Sequence, residues 1–315
     1  MPSTPDEDST DGVPLPWEDP VIIALRDLQW MKHARDSRRS IEAWLRNPGD
    51  EEAQQSAQKA IQQLNSPPDM LLKLDGNAES ASGDVLTSSR QKYFLLEVKA
   101  GERAMRSERD KFMARFMKSL ESKAGGDVVI SFSKRGHHLL FPEVRGRESK
   151  LGEVSVHRIN LLCTGYYETI VRNPADPRPL DRLDAAELLW GTQTLGLDLS
   201  EMSAYLRALS EAHDGDGGAG SVKTYPLKVI IARSDGLYYP CGDLAAFHRA
   251  AHDFGAAIGK VGSAEIAGRA EEHYKMFKHA IRNYRIQIDS PEHTPGTDII
   301  ISPTSFLDGG NSRMN

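Results

Sequence analysis

The sequence predicts an α/β fold, in which a mixed sheet is flanked by helices and a smaller α+β region follows. Two observations lead to this prediction. Before residue 64, apolar residues recur every three to four positions, as in amphipathic helices. Between residues 70 and 99 they form short contiguous runs separated by turn residues, as in strands, and the helical spacing returns after residue 107.

The first elements are two helices, at residues 20–46 and 51–64. Asn47-Pro48-Gly49 ends the first helix, and Asp50 can cap the second. Residues 1–16 precede them and are acidic and rich in Ser, Thr, Asp and Pro. Because these residues have little apolar surface to bury, they are predicted to be a disordered tail.

Strands are predicted next, at residues 70–74, 84–88 and 93–99. Only residues 89–92 separate the second strand from the third, which favours an antiparallel hairpin. An amphipathic helix at 107–122 ends at Gly125-Gly126. The apolar run at 128–132 then indicates a buried strand, and residues 138–141 indicate another.

The rest of the chain mixes strands and helices. The predicted strands lie at 157–167 and 227–233, and the predicted helices lie at 183–190, 199–212, 244–254 and 264–284. We therefore divide the chain into a tail (1–16), a first α/β domain (17–150), an α+β region of unknown role (151–289) and an irregular tail (290–315).

Composition excludes several classes of protein. With 39% hydrophobic residues the chain can form a core, and its formal net charge of −6 argues against a uniformly basic nucleic-acid binder. The two cysteines form no CxxC pair, which excludes a cysteine-rich zinc site and favours a reducing compartment. No segment resembles a secretory signal or a membrane span, so we expect a soluble cytoplasmic protein without membrane contact.

Three charged residues at the predicted hairpin indicate a metal site. Glu97 and Lys99 lie two residues apart on a strand, so their side chains point to the same side, and Asp84 begins the neighbouring strand. Charged groups beside apolar residues are costly to bury without partners. Since Mg²⁺ prefers a few hard oxygen ligands, Asp84 and Glu97 are predicted to bind it. Lys99 is predicted to orient or activate the attacking water or to stabilise the transition state.

This arrangement resembles the PD-(D/E)xK, or restriction-endonuclease-like, nuclease superfamily. Asp84 with Glu97-Val98-Lys99 matches the motif, and the predicted elements between residues 19 and 141 follow the family's order. The resemblance implies a restriction-endonuclease-like nuclease domain at 17–150. It implies a nuclease that depends on Mg²⁺ or Mn²⁺ and hydrolyses phosphodiester bonds in DNA. Members serve in restriction, antiphage defence, repair and mobile-element biology, so a role of that kind is expected.

The resemblance also implies one more acidic residue, contributed by a helix before the core. Glu42 on the first helix is the favoured candidate, and Glu51 and Glu52 are the alternatives. The literal Pro-Asp pair of the family's name is Pro68-Asp69, further upstream. Asp84 is preferred as the metal ligand because it begins a strand paired directly with the strand of Glu97.

Basic residues flank the predicted metal site. Those predicted to bind nucleic acid are Arg103, Arg106, Lys111 and Arg115 after the motif, with Arg38 and Arg39 on the first helix. Such cations can bind DNA phosphates without sequence preference. The alternative is a solvated surface balanced by acidic neighbours such as Glu102, Glu108 and Asp110.

Two other functions stay open on the sequence. The first is a non-catalytic nucleic-acid-binding or assembly subunit with a nuclease-like fold, which the acidic net charge favours. The second is a metallopeptidase built on His248 and His252, although Arg249 stands where zinc peptidases have a glutamate. The C-terminal region is expected to bind a protein partner or a second copy of the chain.

Overall fold

The computed structural model describes ten ranges of the chain: residues 18–64, 71–74, 83–89, 91–151, 154–173, 181–191, 194–213, 229–232, 238–241 and 263–288. Several predictions fall outside these ranges. They are the two terminal tails, the helix at 244–254, Pro68-Asp69, and the histidines His248 and His252.

Seven α-helices lie in the described ranges. They are α1 (Glu18–Arg46), α2 (Glu51–Gln63), α3 (Phe112–Leu120), α4 (Gly126–Gly136), α5 (Ala185–Trp190), α6 (Leu199–His213) and α7 (Ser263–Ile288). A 3-10 helix spans Glu102–Glu108, and a short π-helix spans Tyr167–Val171. The Asp50 side chain caps α2 by accepting hydrogen bonds from the backbone of Glu52 and Ala53, as the sequence predicted.

The described strands form a six-stranded sheet and a separate two-stranded sheet. The large sheet contains, in spatial order, β1 (Leu71–Lys73), β2 (Val85–Ser89), β3 (Lys92–Val98), β4 (His137–Leu151), β5 (Val154–Gly165) and β6 (Leu183–Asp184). The small sheet pairs β7 (Val229–Ala232) with β8 (Tyr238–Cys241). Strands β3 and β4 run parallel and their neighbours pair antiparallel, so the fold is a mixed α/β fold.

Helices cover both faces of the large sheet. Side chains alternate along each strand, so neighbouring apolar residues point to opposite faces and each face has its own apolar core. On one face, Leu86 and Leu95 belong to an apolar core that includes residues of α3, α4, α6 and α7. On the opposite face, Val85 and Leu96 pack in a second core with residues of α1 and α5. The side chains of Glu97 and Lys99 share the face of Leu95, so they lie at the edge of the first core.

The predicted strand at 128–132 is wrong, because these residues belong to α4. The run Val128-Val129-Ile130-Ser131-Phe132 is apolar at nearly every position, and periodicity alone does not separate a buried helix from a strand in such a run. Only Val129 and Phe132 of the run are fully buried, at helical spacing. The left-handed Gly125 begins the helix, which leads directly into β4.

The predicted helix at 107–122 is two elements, the 3-10 helix and α3. The predicted domain boundary at residue 150 lies inside the β4–β5 hairpin, whose pairing runs from His138 with Gly165 to Leu151 with Val154. Residues of α6 and α7 also share a core with α3. Among the described residues, the regions before and after residue 150 therefore fold together and do not form separate cores.

The longest helices of the described ranges are α1 and α7. Neither of them combines the length and the apolar character that a helix needs to cross a membrane.

Candidate metal and catalytic site

The β2–β3 hairpin places Asp84 beside Glu97. The backbone N–H of Asp84 donates to the carbonyl of Leu96, and Val85 pairs with Leu96 in the sheet. The Asp84 carboxylate in turn accepts a hydrogen bond from the backbone N–H of Val98. Gly83 lies here with a positive φ of 128°, and a Cβ atom at that position would stand 3.3 Å from Oε2 of Glu97. A glycine therefore gives the chain room to pass close to the Glu97 carboxylate.

Lys99 follows β3 and is held at the end of the strand. Its backbone N–H donates to the carbonyl of Leu140 over 2.8 Å. Its Nζ lies 2.8 Å from Oε1 of Glu97, and both side chains are less than 10% exposed. The structure thus brings Asp84, Glu97 and Lys99 together at the end of the β2–β3 hairpin where β2 begins and β3 ends.

Two further residues, Glu108 and Lys111, complete this group. Oε1 of Glu108 lies 2.8 Å from Nζ of Lys99 and 2.7 Å from Nζ of Lys111. Nζ of Lys111 also lies 2.9 Å from Oε1 of Glu97. We call these five residues, Asp84, Glu97, Lys99, Glu108 and Lys111, the carboxylate–lysine cluster.

The 3-10 helix explains why Glu108 reaches the cluster. The buried side chain of Met105 fixes this helix against the core, and Glu108 itself is 1% exposed. The sequence pattern alone favoured a solvated surface position for Glu108, where it would balance nearby arginines. The spacing Glu108-x-x-Lys111 directly after the Glu-x-Lys strand was the available signal, since residues three apart on a helical turn face each other.

The cluster changes the protonation of its carboxyl groups. Burial, and then the negative charge of Glu97, raise the pKa of Asp84 to about 7. Burial also acts to raise the pKa of Glu97, but the charges of Lys99 and Lys111 outweigh it and hold this pKa below its ordinary value. For Glu108, burial and the charge of Glu97 exceed the effect of the lysines, so its pKa is raised.

The two lysines stay protonated. Burial opposes the charged form of Lys99, yet the carboxylates of Glu97 and Glu108 raise its pKa above the ordinary value. The same two carboxylates raise the pKa of Lys111. Lys99 is therefore a cation and a hydrogen-bond donor, and it is not suited to accept a proton from water.

Glu42, the favoured acidic candidate from the first helix, does not lie near the cluster. Glu42 forms ion pairs with Arg38, at 2.7 Å, and with Arg46, at 3.5 Å, on the surface of α1. The acidic residue of α1 that reaches the cluster is Glu18, whose Oε1 lies 3.8 Å from Nζ of Lys99. At about 1.5 Å per residue, Glu42 lies about 36 Å from Glu18 along the helix axis. The alternatives Glu51 and Glu52 begin α2, just beyond the far end of α1.

The predicted nucleic-acid-binding residues fall into three groups. Arg103, Arg106 and Arg115 are exposed and lie on the 3-10 helix and α3, next to the cluster. Lys111 belongs to the cluster itself. Arg38 and Arg39 are exposed on α1, about 30 Å from Glu18 along the helix axis, so they do not flank the site.

Buried polar groups lie behind the cluster. The ring of His137, which pairs with Leu95 in the sheet, stacks on Tyr166 with the ring centres 4.4 Å apart. Burial lowers the pKa of His137 to about 3, so its ring is neutral at neutral pH. Nε2 of His137 is buried and has no hydrogen-bond partner among the described residues.

The cluster offers carboxylate oxygens, which are the kind of ligand that Mg²⁺ prefers. Both lysines contact Oε1 of Glu97, whereas Oε2 lies on the side of Gly83 and so towards Asp84. Mg²⁺ needs only one or two protein carboxylates, because it keeps several of its waters. In the described ranges, no group of three or more His, Cys, Asp or Glu side chains is arranged to hold a metal ion, so a site here depends on the pair Asp84 and Glu97.

Replacement of Asp84 by asparagine is expected to stabilise the fold in a pH-dependent way. The folded pKa of Asp84, about 7, lies above the ordinary value of 3.8, so the folded chain holds a proton that the unfolded chain releases. The stability that Asp84 provides is complete below pH 3.8 and is lost as the pH rises through 7. In chelator, Asp84→Asn should therefore gain on the order of 2 kcal/mol over wild type at pH 8, and less at pH 5.

Urea unfolding at the two pH values measures this difference. Asp27→Asn, at an exposed position on α1, is the matched control and should differ from wild type by less than about 0.5 kcal/mol. Equal differences for Asp84→Asn at pH 5 and pH 8 would mean that burial and the charge of Glu97 do not raise the pKa of Asp84.

No protein-family model, curated protein or solved structure matches this chain.

Proposed function

We propose that this protein is a Mg²⁺-dependent nuclease of the PD-(D/E)xK type that hydrolyses phosphodiester bonds in DNA. The observation that supports this most is the convergence of Asp84, Glu97 and Lys99 on one sheet edge, with the Lys99 ammonium 2.8 Å from the Glu97 carboxylate. The mixed sheet with helices on both faces is consistent with such a core.

In this proposal Asp84 and Glu97 hold the metal ion. A bound Mg²⁺ would lower the pKa of a coordinated water and offset charge on the phosphate. Lys99 stays protonated, so its role is to donate a hydrogen bond to the reacting phosphate or the attacking water and to offset negative charge. Burial of Lys99 and Glu97 strengthens this interaction, because the surrounding medium has a lower dielectric constant than water.

The exposed arginines next to the cluster provide the DNA contacts of the proposal. Arg103 and Arg106 on the 3-10 helix and Arg115 on α3 are exposed and close in sequence to Glu108 and Lys111 of the cluster. Contacts of this kind position a DNA backbone without reading its sequence. A role in antiphage defence, restriction or mobile-element biology remains part of the proposal.

A cleavage assay tests the proposed activity. Wild-type protein should cleave plasmid or linear DNA in Mg²⁺ or Mn²⁺ and should be inactive in excess chelator. Lys278→Met, an exposed substitution on α7, should keep full activity. A folded wild-type protein that cleaves neither double-stranded DNA, single-stranded DNA nor RNA with either metal would contradict the proposal.

A second candidate function is a non-catalytic DNA-binding or assembly subunit. The observation that favours it is that Lys99 and Lys111 already pair with Glu97 and Glu108, so part of the negative charge is neutralised without a metal ion. A subunit of this kind would bind DNA equally well in chelator and in Mg²⁺ and would show no cleavage.

A further inference from the structure

The β4–β5 hairpin extends well past the strand beside it. Strand β3 ends at Val98, which pairs with Leu140 of β4, whereas β4 continues to Leu151. Because β3 and β4 run parallel, this continuation leaves the sheet at the end where β3 stops, and Lys99 of the carboxylate–lysine cluster follows β3 at that end. At about 3.3 Å per residue, the continuation spans at most about 36 Å.

The outer part of this hairpin is basic. We call residues 144–159, from Val144 to its pairing partner Ile159, the hairpin arm. The formal net charge of the arm is +2, whereas that of the whole chain is −6. The charged residues of the arm are four cations and two acids, namely Arg145, Arg147, Lys150 and Arg158 with Glu148 and Glu153. Positive charge is therefore concentrated in a segment that leaves the sheet at the end of the cluster.

The register of the arm sets two arginines opposite one another. Arg145 pairs with Arg158, and the next pair, Arg147 with His157, adds a third arginine. Like charges at directly opposite positions destabilise an antiparallel pair. A two-stranded ribbon on its own is also only marginally stable in water. A polyanion bound along the arm would remove the repulsion, so the register favours an anionic partner.

Two β-bulges lie among the basic residues of the arm. The pairing shifts between Arg145 and Arg147 and again between Arg147 and Ser149, which leaves Gly146 and Glu148 as extra residues on β4. Bulges increase the right-handed twist of a ribbon. The major groove of B-form DNA is about 12 Å wide and admits a two-stranded ribbon. The major groove of A-form RNA is too narrow for side chains to read. The shape of the arm therefore favours a DNA duplex.

An ion-pair bridge links the base of the arm to the cluster. Nη2 of Arg182 lies 2.8 Å from Oε2 of Glu102, and Nη1 of Arg182 lies 3.7 Å from Oε1 of Glu143. Glu143 precedes the arm on β4, and Glu102 begins the 3-10 helix that ends at Glu108 of the cluster. The arm is therefore joined at its base to the element that carries Glu108.

We propose that the hairpin arm binds the major groove and the phosphates of a DNA duplex and holds that duplex beside the carboxylate–lysine cluster. Arg145, Arg147 and Arg158 provide the contacts. This inference rests on the proposed nuclease function and narrows its substrate class to double-stranded DNA, in preference to single strands and to double-stranded RNA.

Fluorescence anisotropy with a labelled DNA duplex, in chelator so that no cleavage occurs, tests the inference. The arm variant combines Arg145→Gln, Arg147→Gln and Arg158→Gln. It should raise the dissociation constant at least about tenfold at low salt, and it should reduce the log–log slope of the salt dependence by about 2–3, because phosphate contacts are lost.

A matched control removes the same charge from exposed positions of α7. It combines Lys275→Gln, Lys278→Gln and Arg282→Gln, and it should change the dissociation constant by less than about threefold. Circular dichroism verifies that both triple variants are folded. An arm variant that binds the duplex as the control does would overturn the inference, and so would one that changes only the oligomeric state of the protein.

The same measurement with single-stranded DNA and with double-stranded RNA of the same sequence tests the groove. The arm variant should lose less affinity for these two ligands than for duplex DNA. An equal loss on all three ligands would overturn the inference, because the arm would then contact any polyanion.

The outcomes also separate this inference from the proposed function. A wild-type protein that binds duplex DNA through the arm but cleaves nothing in Mg²⁺ or Mn²⁺ would support the inference and contradict the nuclease function. A wild-type protein that cleaves DNA while the arm variant binds and cleaves equally well would overturn the inference alone.

Discussion

Glu97→Gln is expected to lower the rate of Mg²⁺-dependent DNA cleavage by about 10²–10³-fold or more. Glu97 lies at the centre of the carboxylate–lysine cluster: its Oε1 accepts hydrogen bonds from Lys99 and Lys111, and its charge acts on Asp84. Glutamine has the same shape but lacks the charge, so it would bind a divalent cation weakly and would no longer fix the Lys99 ammonium.

Initial rates on plasmid DNA at saturating Mg²⁺ measure this loss, with circular dichroism to verify folding. Glu272→Gln, at an exposed position on α7, is the matched control and should cleave like wild type. A folded Glu97→Gln protein that retains more than about a tenth of the wild-type rate would show that catalysis does not depend on this carboxylate.

Lys99→Met is expected to destabilise the protein by about 3–5 kcal/mol. Methionine fits the space of the lysine stem, but the substitution leaves Glu97 and Glu108 buried with only the half-exposed Lys111 as a partner. Removal of one member of a buried ionic group is costly because the remaining charge loses its compensation.

Urea unfolding in chelator at neutral pH gives the loss of stability. A second substitution, Glu108→Gln in the Lys99→Met background, should restore part of it, because one uncompensated charge is removed. The surface variant Lys278→Met should change stability by no more than about 0.5 kcal/mol. If Lys99→Met changes the free energy of unfolding no more than this control does, Lys99 does not stabilise the buried charges of Glu97 and Glu108.

The hairpin and the pairing of Asp84 with Glu97 could be predicted from local patterns. Residues 84–99 contain two apolar runs with a short polar segment between them, and strand alternation fixes which side chains share a face. The register that places Asp84 opposite Glu97 follows from the short connection between the two strands and does not depend on contacts with distant parts of the chain. The sequence therefore indicated three of the five residues of the cluster as metal-site or catalytic residues, and it indicated Lys111 only as a phosphate contact.

The other two cluster residues depend on the path of the chain after β3. Glu108 reaches Lys99 because a 3-10 helix, anchored by Met105, turns the chain back over the end of the strand. The sequence-based helix at 107–122 placed Glu108 and Lys111 at the start of a longer, exposed helix instead. No local pattern specifies where a 3-10 helix ends and an α-helix begins.

The error at Glu42 has a different cause, the length of α1. The spacing of apolar residues predicts a long helix with acidic residues at several positions, but it does not show which turn of the helix contacts the sheet. Contact with the sheet occurs near its start, where Val21 and Leu25 are buried and Gln29 donates to Thr87 on β2. A later turn contacts α2 through His33 and the carbonyl of Gln63, so the acidic residue of α1 that lies nearest Lys99 is Glu18.

A crystal structure of the wild-type protein soaked in Mn²⁺, with anomalous scattering recorded to locate the ion, tests whether Asp84 and Glu97 bind a divalent cation. We expect an anomalous peak that contacts a carboxylate oxygen of both Asp84 and Glu97, on the side of Gly83. A well-occupied peak elsewhere, or none at this site at millimolar Mn²⁺ in crystals where both side chains are ordered, would contradict the account.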